Sequence, residues 1–113
     1  MPQDVAAFVT FLLRSSVDTH LMHWETNSFS AHTALGEFYE SIVGKTDELA
    51  EAYMGRHEKL KFSVGDPIKY LEKIQAFVAE SREHLPQDTE LQNLVDEIAQ
   101  LIDSTLYKLR FLN

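Results

Sequence analysis

Four long stretches carry apolar residues at helical spacing, and three short breaks separate them. This pattern restricts the fold more than anything else in the chain. At 100° per residue, Val5, Phe8, Val9, Leu12, Leu13 and Ser16 share one face of a first helix over residues 4–24, with Asp4 as N-cap, while Arg14 and Asp18 point away. Glu25-Thr26-Asn27-Ser28 reads as a tight turn in which Asn27 or Ser28 caps the next helix. That helix spans residues 29–54, with Leu35, Phe38, Tyr39, Ile42, Leu49 and Tyr53 inward, Glu37, Ser41, Lys45 and Glu48 in solvent, and Gly55 as its stop. Asp66-Pro67 opens a third helix over 67–85, burying Leu71, Ile74, Phe77, Val78 and Leu85. Pro86 breaks the chain again. The fourth helix covers 89–109, with Leu91, Leu94, Val95, Ile98, Leu101, Ile102, Thr105 and Leu109 inward. No segment alternates as a strand would. The expectation is an all-α four-helix bundle forming one domain over residues 1–113. About ten residues link helices two and three, a reach of about 33 Å, enough to run the ~30 Å of a 20-residue helix. A ferritin-like crossover and a simple up-down bundle both fit.

The composition suits a soluble domain with one core: 113 residues, 44% hydrophobic and 25% charged. No apolar run approaches the ~20 residues of a membrane span. Met-Pro-Gln-Asp lacks the basic start of a signal peptide, so a cytoplasmic location is expected. Without cysteine, neither a disulfide framework nor a thiolate metal site is available. The net charge of −8, with basic residues scattered apart from Arg56, Lys59 and Lys61, argues against nucleic acid as a partner.

The acids of the last two helices (Glu72, Glu80, Asp96, Glu97, Asp103) fall on outer faces. The histidines do not. His23 projects from the centre of the first helix's apolar face, His20 lies toward its edge, and His32 sits on the inner stripe of the second helix beside Leu35 and Tyr39. An antiparallel hairpin would bring these three together. Imidazole nitrogens and carboxylate oxygens are ligands that iron and other first-row metals accept. Asp47 and Glu51, four residues apart, share a second strip of helix two with Gly36, Glu40, Val43, Ala50 and Met54. That strip suits either a partner subunit or plain solvent. His32 and Asp47 are fifteen residues apart on one helix, so they stand about 22 Å apart and cannot hold one ion within a chain. They could meet only across a two-fold dimer, which would make two such sites. The Glu-x-x-His pattern of an intrachain di-iron bundle is absent, because no histidine has Glu three positions earlier.

Thr19-His20-Leu21-Met22-His23-Trp24, then Phe29-Ser30-Ala31-His32, then Thr46-Asp47-Glu48-Leu49-Ala50-Glu51 resembles the signature of the Dps-type miniferritins over residues 19–54. In that family a His-Trp pair ends the first helix, Phe-x-x-His starts the second, and Asp-Glu-x-Ala-Glu comes near its end. The resemblance implies a ferroxidase-type site built across a subunit dimer. His23 and His32 would form one half, and Asp47 and Glu51 the other. Where the family has a further Asp one turn after the second histidine, this chain has Gly36, a place His20 or Glu40 would fill. The loop before His32 is about three residues shorter than the family's, and the family's basic DNA-binding tail has no counterpart here. The whole chain is also similar to a group of small tailed-phage proteins sharing Thr-His-x-x-His, Ser-Phe-x-x-His, Ala-Glu-Ala-Tyr and an ending like Ser104-Thr105-Leu106-Tyr107-Lys108-Leu109. That likeness implies no function, implies a host cytoplasm if the protein is phage-encoded, and brings His20 into the site.

Two expectations follow. One is a ferritin-like protein that binds iron or another divalent metal at a homodimer interface, with ferroxidase chemistry if active. The other is a non-catalytic helical scaffold whose histidines are hydrogen-bonded core residues and whose Val43/Ala50/Met54 strip binds a partner.

Overall fold

In a computed structural model describing residues 2–112, the chain is all-helical, with no strand among the described residues. Its elements are α1 (Pro2–Glu25), α2 (Phe29–Arg56), α3 (Pro67–Ser81), a 3₁₀ turn (Arg82–His84) and α4 (Thr89–Phe111). They form two compact units, Met1–Phe62 and Ser63–Asn113, each a helical hairpin. No described helix is long and apolar enough to cross a membrane.

In the first unit, α1 and α2 are antiparallel across a three-residue turn. Ser28 caps α2, its Oγ accepting from the Ala31 amide at 3.2 Å. Two expected limits shift. Asp4 lies inside α1, which begins at Pro2, a residue whose missing N–H costs a helix start nothing. Gly55 does not stop α2, which runs on to Arg56 and ends at His57.

The stripe along the α1–α2 seam is narrower than the periodicity suggests. Val9 is buried, and Val5, Leu12 and Ser16 are half-buried, but Phe8 and Leu13 are exposed. On α2, Leu35, Tyr39, Ile42 and Tyr53 are half-buried while Phe38 and Leu49 are exposed. The centre of the α2 stripe is Thr46, which is buried, and its hydroxyl has no hydrogen-bond partner among the described residues. An unmet buried hydroxyl costs about 1–3 kcal/mol. Thr46→Val keeps the branched shape and removes that cost. Thermal unfolding should show a gain of about 1 kcal/mol, and a lower Tm would mean the hydroxyl has a partner in solution.

In the second unit, Asp66 caps α3, accepting from the Lys69 amide at 2.9 Å, with Pro67 following it. The preceding Gly65 has φ +87°, a left-handed turn that favours glycine. The continuous helix expected to residue 85 ends at Ser81 and tightens into the 3₁₀ turn, so Leu85 is an exposed extended residue and not part of a buried face. Side chains tie the turn that follows. Gln92 Nε2 donates to the carbonyls of Arg82 (3.2 Å) and Pro86 (3.0 Å), and Arg82 pairs with Asp96 at 2.6 Å. Against α3, the inner side of α4 reads Val95, Ala99, Ile102, Leu106 and Leu109, with Ile102 and Leu106 buried. Leu91, Leu94, Ile98 and Leu101, expected inward, are exposed, as is Phe77 on α3.

Candidate functional site

The end of the α1–α2 hairpin gathers the histidines. His23 lies in the last turn of α1 and His32 in the first turn of α2. Their rings stack with centroids 3.6 Å apart and planes 21° from parallel. Each ring also bonds the other residue's backbone: His32 Nδ1 donates to the His23 carbonyl at 2.9 Å, and His23 Nδ1 to the His32 carbonyl at 2.5 Å.

The ends of the helices explain this arrangement. The final carbonyls of α1 have no amide one turn ahead to accept from. That of His23 is one of them, and His32 meets it. The His32 carbonyl already serves the Gly36 amide in the i→i+4 ladder of α2 and has a second lone pair to offer. A donor reaching that carbonyl comes in beside the next turn of the helix, at residues 35 and 36. His23 does so over a glycine: a Cβ built on Gly36 would stand 3.1 Å from His23 Cε1 and 3.3 Å from its Nδ1.

These bonds also assign the protons. A carbonyl only accepts, so both Nδ1 atoms carry hydrogen in the neutral rings, leaving the lone pair of each imidazole on Nε2. His20 packs flat on Tyr39 (centroids 3.9 Å, planes 9° apart), its ring centroid lies 4.4 Å from that of Trp24, and it makes a T-shaped contact with His23 at 6.3 Å. Tyr39 also meets His23 edge-on at 5.3 Å. Three histidines, a tyrosine and the sole tryptophan therefore form one continuous set of ring contacts.

The other expected site residues stand apart from this set. Asp47 and Glu51 are exposed, fifteen or more residues farther along the same unbroken α2. Glu40 is also exposed, eight residues from His32, or about 12 Å along the helix. Among the described residues, no three His, Asp or Glu side chains converge within the chain as a group able to hold a metal ion. Neither Glu40 nor His20 occupies the space beside Gly36, because His23's ring is there. The roles of Gly36 and Tyr39 escaped the sequence reading. The available signal for Gly36 is a glycine inside a long helix, where it costs about 1 kcal/mol against alanine.

The profile of a family of unknown function (DUF5856) matches residues 23–109, most of the chain. The chain belongs to DUF5856. The matched span begins at His23 and takes in His32, Gly36, Asp47 and Glu51. No curated protein and no solved structure matches the chain.

Proposed function

We propose that this DUF5856 chain is a ferritin-like, Dps-related helical protein that binds iron or another first-row divalent metal between two copies of itself. His23 and His32 of one copy and Asp47 and Glu51 of the other form each site. The observation that carries this reading is the fixed tautomer of the two histidines. A metal-binding imidazole usually donates its second ring nitrogen to a carbonyl or carboxylate, which orients the ring and leaves the first nitrogen for the metal. Both rings meet that condition, and because a metal lies in the plane of each imidazole it binds, the stacked pair must splay apart to share one ion. The carboxylates suit it too: two acids four apart on a helix repel each other slightly, and a cation relieves that repulsion. An antiparallel pairing of α2 across a two-fold sets the start of one helix beside the end of the other. Ferroxidase activity, oxidation of bound Fe(II) by dioxygen or peroxide, is the finer part of this reading.

A second reading has its own observation. Stacking and reciprocal carbonyl bonds give both histidines a complete structural role without any metal, as a clasp closing a scaffold hairpin. Thermal unfolding separates the two. A ligand bound only by the native state at 100 times its Kd stabilises by about 2.7 kcal/mol. Zn(II), or Fe(II) without oxygen, should therefore raise Tm by several degrees and EDTA should reverse the rise. A Tm indifferent to both would leave the scaffold reading.

A further inference from the structure

We infer that Gly36 is a positioning residue for His23: its missing side chain is what allows the His23 ring to reach the His32 carbonyl, and thereby fixes the tautomer of the pair. Three observations carry this. The His32 carbonyl points along α2 toward the next turn, and the donor that reaches it, His23 Nδ1, lies beside Gly36. The space there is short, at 3.1 Å and 3.3 Å from a Cβ to two atoms of the ring. The ring cannot yield freely, since it is in stacking contact with His32 on one side and bonded through Nδ1 on another. To admit a methyl at 36 the ring must give by a few tenths of an ångström, and by more for a larger side chain, which loosens its bond to the carbonyl. By the same geometry, a carboxylate ligand at 36 and the clasped His23 exclude one another.

Gly44, on the same helix, gives the comparison, because nothing lies within 4 Å of a Cβ built there. Gly44→Ala should raise Tm by a few degrees through helix propensity alone. Gly36→Ala should fail to give that rise, and in a His23→Ala background it should give it, since the obstacle is then gone. A rise of the same size in both backgrounds would overturn the inference. Long-range ¹H–¹⁵N correlation spectra of the imidazoles, taken without metal, read the tautomer itself. His23 in the wild type should be the Nδ1–H form, and Gly36→Ala should shift it toward a mixture of Nδ1–H and Nε2–H forms, while Gly44→Ala leaves it alone. An unchanged His23 tautomer in Gly36→Ala would also overturn the inference. A further arm rests on the metal-binding reading: Zn(II) titration of Gly36→Ala should show affinity lower by about 10–100-fold, the usual cost of losing the group that orients a ligand. If the wild type binds no Zn(II), that reading fails while the spectra still decide the role of Gly36.

Discussion

Mixing a His32→Ala chain with an Asp47→Ala chain should restore metal binding that neither variant has alone. For the proposed site, the distance along α2 requires it. His32 and Asp47 lie on one unbroken helix, Phe29–Arg56, about 22 Å apart, so an ion held by both must draw them from different copies. Either variant by itself removes a ligand from every site of its homodimer, and affinity should fall by more than about 100-fold. In a mixed dimer, one site takes His32 from the Asp47→Ala chain and Asp47 from the His32→Ala chain, and is intact; the other has lost both. Random assortment at equal ratio should therefore recover about a quarter of the wild-type sites. Refolding the two variants together and counting bound Zn(II) at saturation measures this. Recovery to that level requires an intersubunit site. No recovery, with both variants folded and dimeric, would rule out the pairing, and undiminished binding in either variant alone would remove its residue from the site.

What the sequence could reveal of this site follows from which parts are local. The histidine cluster depends on hairpin closure and on helical spacing, so the sequence alone places His20, His23 and His32 together. Ser28, Asp66 and Pro67 were readable as helix starts for the same reason, since a cap acts over three residues. The reciprocal bonds were not readable. They depend on which carbonyl of α1 is left without an amide and on the direction of one carbonyl in α2, and only the path of the turn decides both. Gly36 looked like a missing acid when compared with the miniferritin pattern. In three dimensions it is occupied space, filled by the ring of His23. The inner faces were harder still. Each helix has more apolar positions than one neighbour can cover, so periodicity alone could not say which of two adjacent stripes lies in the seam. Thr46 was passed over because it is polar, although it sits at the centre of the α2 stripe.

Leu106→Ala should be the most damaging single truncation in the second unit. Leu106 is 1% exposed, the most buried side chain of α4, and it lies on the stripe with Ile102 and Leu109 rather than the one with Leu94 and Leu101. Replacing a buried leucine by alanine loses its transfer free energy and leaves a cavity, together about 2–5 kcal/mol. A domain of this size is stable by only about 5–15 kcal/mol, so Tm should fall by ten degrees or more, measurable by circular dichroism at 222 nm. Leu101→Ala removes the same atoms from a side chain 67% exposed, on a face that also presents Leu91, Leu94 and Ile98. In the chain as described, that change should stay within about 0.5 kcal/mol of wild type. The contrast isolates burial from residue chemistry, since both positions are leucines in the middle of one helix. A Leu101→Ala cost that matched Leu106→Ala, and grew with protein concentration, would mean that self-association covers this second stripe, because burial in an assembly stabilises in proportion to how much of the chain is assembled.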